Sequence, residues 1–197
     1  MKKIIVVAVY CMLCMTVINA QSGRFYFGVK SGLNIANLNG PNGSDYNAVP
    51  SFYAGGLMHA HITQHFAVQH ELFFSGQGSK VGSDRMRLLY LNMPMLAQYM
   101  TGGGFRLETG PQIGFLLAAK NKNGNTETNF KDDFKSLDFS WVFGAGYVFP
   151  GTGFGIDTRY NLGINNIHDA PGTFRNSVFS LGAFYQWQCK HSMARKH

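Results

Sequence analysis

Residues 138–149 read Asp-Phe-Ser-Trp-Val-Phe-Gly-Ala-Gly-Tyr-Val-Phe. Phe139, Trp141, Phe143, Ala145, Tyr147 and Phe149 form one face, while Asp138, Ser140, Val142, Gly144, Gly146 and Val148 form the other. A strict period of two is the signature of a strand with one apolar face. The two glycines would each cost a helix about 1 kcal/mol relative to alanine.

The same alternation extends in both directions. Downstream, Phe154, Ile156, Tyr160, Leu162 and Ile164 oppose Gly155, Asp157, Arg159, Asn161 and Gly163. Upstream, Leu89, Leu91, Met93, Met95, Ala97 and Tyr99 oppose Tyr90, Asn92, Pro94, Leu96 and Gln98. Near the start, Phe25, Phe27, Val29, Leu33 and Ile35 oppose Tyr26, Gly28, Lys30, Gly32 and Asn34. Eight such runs are predicted, near 24–37, 51–62, 66–77, 87–100, 105–118, 137–149, 154–166 and 176–187. All eight exceed the roughly 5–6 residues of a soluble strand and are long enough for a tilted membrane crossing, which needs at least roughly 9–11.

The rest of the composition agrees. The 197 residues are 45% hydrophobic and only 14% charged, with 24 Gly, 17 Phe and 9 Tyr, which suits one strand-rich domain and excludes a disordered chain. After the first 20 residues no run reaches the roughly 18 apolar residues that a spanning helix needs. Lys2 and Lys3 followed by an apolar run from Ile4 to Val17 and by Ile18-Asn19-Ala20 read as a secretory signal peptide over 1–20. A lipoprotein leader fits less well, because Met12-Leu13 leaves no small residue beside Cys14. Two of the three cysteines lie in the leader, so Cys189 alone cannot form an internal disulfide. Loss of Lys2 and Lys3 trims the formal charge of +7 by two, a mild balance that does not point to nucleic acid.

The connections between the runs alternate in length. Thr63-Gln64-His65, Thr101 to Gly104 and Pro150 to Gly153 are short and rich in turn residues. Asn39 to Asp45, Gly78 to Arg85, Lys120 to Ser136 and Asn166 to Arg175 are long and polar. Short turns at one end and long loops at the other, on an even number of strands, are the plan of an outer-membrane barrel. The expected fold is therefore all-β: an eight-stranded antiparallel up-and-down transmembrane β-barrel over 21–188 with a filled polar lumen, followed by a basic tail over 189–197. A lipocalin-like soluble barrel is the alternative. Two points stay open. Either Tyr53, Gly55, Leu57, His59 and His61 or Ala54, Gly56, Met58, Ala60 and Ile62 could face lipid. Pro94 and Pro111 lie inside strands, where proline normally marks a bulge or an edge.

Several segments carry a family resemblance: Gly28-Val29-Lys30-Ser31-Gly32-Leu33-Asn34, Glu71-Leu72-Phe73-Phe74-Ser75-Gly76-Gln77-Gly78, Leu91-Asn92-Met93-Pro94, Glu108-Thr109-Gly110-Pro111-Gln112-Ile113-Gly114 and Arg159-Tyr160-Asn161-Leu162-Gly163. Together they resemble the small outer-membrane barrel domain common in Bacteroidetes proteins, the porin-family or PorT-like barrels, in which prolines fall at similar places. That resemblance implies an outer-membrane location and this fold, and no particular activity. The chain departs from the usual aromatic ending, since Trp187 is followed by Gln188-Cys189-Lys190 and the basic tail.

With the apolar faces turned to lipid, Lys30, Glu71, Arg106, Glu108, Asp157 and Arg159 point into the lumen. An eight-stranded barrel is just wide enough to be filled by side chains, so these charges are expected to form a paired structural network that leaves no open pore, in preference to a proton or ion path. His59, His61 and His65 near a short turn, and His168-Asp169 on a long loop, raise lipid-modifying catalysis. No nucleophile stands at a recognisable spacing from either group, so no catalytic residue, metal or cofactor is assigned. Interfacial anchoring is the simpler reading of the first cluster. Lys120, Lys122, Lys131 and Lys135 make the 120–136 segment a candidate surface-binding loop, set against a simple hydrated loop. The expected partners are outer-membrane lipid and lipopolysaccharide, with periplasmic or surface proteins in addition. The protein is read as a monomer with a non-catalytic surface-binding, structural or secretion-related role. A lipid-modifying enzyme or a narrow channel is the alternative.

Overall fold

The computed structural model describes residues 25–39, 47–81, 84–123, 126–129, 131, 134–167 and 175–188. The predicted leader, the basic tail with Cys189, and His168-Asp169 lie outside the described residues. Nine strands follow one another. They are β1 (Phe25–Asn39), β2 (Asn47–His61), β3 (Phe66–Val81), β4 (Asp84–Met100), β5 (Phe105–Asn123), β6 (Thr126–Asn129), β7 (Leu137–Val148), β8 (Phe154–Gly163) and β9 (Arg175–Gln188). Every pairing is antiparallel, and β9 returns to β1 from Tyr26↔Gln188 to Asn39↔Arg175. With β5 paired to both β4 and β7, eight strands close into a barrel, and β6 is a side strand on the outer end of β5. Closure leaves the eight barrel strands without a free edge, which is the condition for a sheet to cross lipid.

Barrel strands run from 10 residues in β8 to 19 in β5. Their alternation sorts as the sequence requires. Phe27, Leu33, Phe74, Leu107, Phe143, Ile156, Leu181 and Trp187 are exposed on the outside, while Lys30, Asn34, Glu71, Gln98, Gln112 and Arg159 are buried on the inside. An apolar exterior around a polar interior is the reverse of a soluble barrel.

The open register of β2 is settled by its neighbours. Tyr53, Leu57 and His59 point inward, while Phe52, Ala54 and Gly56 point outward. Tyr53 needs space, and it has it because Gly32 is its rung partner on β1 and Gly182 is the next residue along the same rung on β9.

Three expectations are corrected. Of the expected loop over 78–85, residues 78–81 and 84–85 are strand, since β3 and β4 stay paired to Val81↔Asp84. Once a hairpin leaves the bilayer both faces meet water, so alternation vanishes while pairing continues. Gly78 assists with φ 138°, where a side chain would strike the Met86 carbonyl. The segment 120–136 likewise begins as strand, with Lys120↔Asn129 to Asn123↔Thr126 pairing β5 to β6. Neither proline shifts the register. Pro94 pairs with Gln112 on β5, and Pro111 with Trp141 on β7, and each leaves a gap only on its other side. His70 covers the gap beside Pro94, its Nδ1 lying 3.1 Å from the Pro94 carbonyl. The shifts fall elsewhere, where Leu117 is an extra residue opposite Leu89/Tyr90, and between Ala48 and Tyr53 on β2.

Candidate functional site

The lumen charges converge from four strands. Arg159 on β8 grips Glu71 on β3 with both terminal nitrogens, at 2.6 and 2.7 Å, and its Nε donates to Glu108 on β5. Asp157 lies 3.5 Å from the same guanidinium and accepts from Lys30 of β1, whose ammonium is also 3.6 Å from Glu71. Gln69 donates to Glu71 at 2.5 Å and Gln98 to Glu108 at 2.7 Å, which completes the acceptor shells. All six predicted lumen residues are no more than 4% exposed. Isolated charges would be intolerable at such depth, and mutual pairing with extra hydrogen bonds is what makes their burial possible.

Two glycines create the room. Gly144 stands between Glu108 and Arg159 on one rung, and Gly146 between Arg106 and Asp157 on the next. A Cβ on Gly144 would lie 2.8 Å from Glu108 Oε1 and 3.0 Å from Arg159 Cγ. The two long side chains therefore meet across the bare strand. The sequence carries this signal, since glycine recurs at the inward positions of β7, though the rung partners cannot be named without the register.

Arg106 departs from the predicted network. Among the described residues no carboxylate lies within ion-pairing distance of it; its guanidinium sits 4.8 Å from the Phe184 ring centroid and 3.4 Å from Gln69 Oε1. Its inward direction carries it toward the short-turn end, where a flat aromatic face and an amide replace the carboxylate. The histidines also separate. His59 is buried, 1% exposed, with its ring 4.8 Å from that of His61, whereas His65 stacks on Tyr99 at 6.2 Å. Burial of His59 inside the barrel replaces the expected anchoring at the interface. Among the described residues no group of three or more His, Cys, Asp or Glu is placed to hold a metal.

At the long-loop end the lumen is roofed by an apolar cluster of Leu88, Tyr90, Leu116, Ala119, Phe134 and Ile167. Phe134 and Ile167 come from the polar connections, and the Lys135 amide donates to the Ile167 carbonyl at 2.9 Å, tying the two together. Phe134 is thus anchored within the candidate loop. Its signal was a few isolated apolar residues, such as Phe130 and Phe134 in one polar run and Ile167 and Phe174 in the other, too sparse for any periodicity to register. Phe134→Ala should loosen this roof, so that trypsin cuts near Lys131 and Lys135 faster while the barrel stays folded on a gel. Unchanged cleavage would mean that the ring contributes nothing to loop order. Lys120, Lys131 and Lys135 are exposed at this end, and register sets Lys122 opposite Glu127, with the Lys122 side chain outside the description.

Comparison with known proteins agrees with this geometry. No curated protein matches in sequence. Neisserial surface protein A is similar in structure, with a TM-score of 0.60 at 12% identity, covering 82% of this chain and 97% of that one. Ail, the attachment invasion locus protein of Yersinia pestis, is similar with a TM-score of 0.50 at 15% identity, covering 83% and 99%. At such identities the likeness shows the fold alone. The family model described as "Outer membrane protein beta-barrel domain" matches residues 19–169, well over half of the chain. With the closed barrel and its apolar exterior, this match makes the chain a member of the outer membrane protein beta-barrel domain family.

Proposed function

We propose that the protein is a monomeric, non-catalytic outer-membrane barrel with a closed lumen, exported through a cleaved leader, which acts at the membrane surface in binding, structure or secretion-related assembly. One observation carries this reading: the Lys30, Asp157, Arg159, Glu71 and Glu108 chain crosses the barrel from β1 to β5. The apolar roof of Phe134 and Ile167 lies beyond it. A side-chain bridge at mid-depth and a greasy cap at one mouth leave function to the outer surface and loops, with lipid, lipopolysaccharide and surface or periplasmic proteins as partners. Within the family, the finer placement with PorT-like Bacteroidetes barrels rests on the sequence segments quoted above.

The test is electrical. Purified protein in a planar bilayer should give no steady conductance at neutral pH, whereas a stable open channel in the unmodified protein would overturn the closed-lumen reading.

A further inference from the structure

Among the described residues, the wall of the barrel is interrupted between β2 and β3 by a gap that carries a register shift. Strands β2 and β3 are paired rung by rung up to Tyr53↔Ser75, then part, and meet again only at Ala48↔Ser79 with a shifted register. In between, the four residues Val49-Pro50-Ser51-Phe52 face the three residues Gly76-Gln77-Gly78. Proline has no amide to donate to a ladder. The Gly76 carbonyl is instead taken by Ser51 Oγ at 2.6 Å and by Asn34 Nδ2, reaching from the lumen, at 3.0 Å. The opening is therefore stabilised by dedicated side chains.

On the outside this interruption widens into a cleft of about 710 Å³ walled by Phe52, Ala54, Phe74, Leu89 and Ala118. That size falls within the range of about 300–1,000 Å³ typical of ligand pockets. Arg87 and Lys120 form its outer rim. They are direct rung partners on β4 and β5, both exposed on the outer face. Two cations on directly opposite positions stand close enough for one anion to lie between them. Lys80, also exposed, stands one strand over, opposite Arg85. The apolar walls of the cleft and its cationic rim are thus stacked in the order in which a lipid of the outer leaflet presents its chain and its phosphate.

We infer that this cleft seats one acyl chain of a lipid bearing a phosphate monoester, with the phosphate held between Arg87 and Lys120. Arginine offers a planar fork to two phosphate oxygens, and lysine adds a point charge. The inference deepens the lipid-binding part of the proposed function and rests on it. The conductance experiment addresses the lumen and can succeed or fail without touching this cleft.

The test uses the folded barrel in detergent, titrated with dimyristoyl phosphatidic acid, dimyristoyl phosphatidylcholine or inorganic phosphate and read by native mass spectrometry. Phosphatidic acid should bind as one equivalent and about tenfold more tightly than phosphatidylcholine, the difference expected from one or two charge-assisted hydrogen bonds. Arg87→Gln with Lys120→Gln should bring phosphatidic acid down to the phosphatidylcholine level. Ala54→Trp should fill the cleft and weaken both lipids, with Ala118→Trp as a second filling variant, each confirmed as folded by its heat-dependent gel mobility. Equal binding of the two lipids by the wild type would overturn the inference. So would indifference to the charge change, indifference of a folded filled variant, or inorganic phosphate binding as tightly as the lipid.

Discussion

Arg159→Ala is expected to lower the unfolding free energy of the barrel by about 3 to 5 kcal/mol, because it leaves buried charge without its partner. In the intact lumen Arg159 serves Glu71 through two bonds, Glu108 through a third, and Asp157 at 3.5 Å. After the change, Lys30 is the one cation within ion-pairing distance of that group among the described residues, and it reaches Asp157 and Glu71 but not Glu108. Glu108 retains only the Gln98 amide. Urea titration of the refolded barrel, followed by the loss of its heat-shifted gel band, reads the difference. Because Asp157 belongs chiefly to Lys30, the compensating change lies at Glu108: Arg159→Met with Glu108→Gln should recover part of the loss, and a double-mutant cycle measures the coupling. A midpoint for Arg159→Ala indistinguishable from wild type would mean that water screens these charges.

Gly182→Val should cost about 3 kcal/mol, the upper end of what overpacking a tight interior costs. Tyr53, Gly32, Gly182 and Asp157 lie along one rung that crosses four strands. The Tyr53 ring lies flat over the two glycines, so that a Cβ on Gly182 would fall on its hydroxyl, 3.0 Å from its Cζ and 3.1 Å from Asp157 Oδ1. The ring cannot move far, since Phe73 packs on it at 5.4 Å and the Lys30 ammonium lies 5.7 Å from its centroid. Equilibrium unfolding of Gly182→Val, Tyr53→Leu and the pair separates the causes. The pair should be more stable than the sum of the single changes predicts, and strict additivity would place the damage in the backbone of β9.

The membrane-spanning fold was legible because lipid enforces alternation. Wherever a strand lies in the bilayer, as over 139–148, one face must be apolar. Beyond the bilayer that pressure ends, and the paired extensions at Lys80↔Arg85 and Lys122↔Glu127 read as loops. β2 was ambiguous because His59 and Met58 sit on opposite faces with similar neighbours; only the glycine opposite Tyr53 decides it. The lumen charges were legible as a set, since charged residues at inward positions are few against the many neutral polar ones. Their partners were not, because rungs join residues far apart in sequence, and Arg106 shows that membership of the set does not guarantee a counter-ion. Phe134 and Ile167 carried too little pattern to stand out from the polar runs around them.

The spacing of the lumen partners has a consequence for how the barrel assembles. Arg159 and Glu108 are 51 positions apart, Arg159 and Glu71 are 88, and Lys30 and Asp157 are 127. On an open sheet β1 and β8 lie at opposite ends, so the ammonium of Lys30 and the carboxylate of Asp157 come together only when β9 meets β1. Every earlier intermediate lacks that contact and leaves Lys30 to Glu71 and Asp157 to Arg159. The Lys30–Asp157 contact therefore behaves as a latch on the final seam: it contributes nothing to the growing sheet, whereas Arg159 and Glu108 can already meet across β7. Such a barrel favours two states, fully shut or unclosed, over a half-zipped sheet lingering in the membrane.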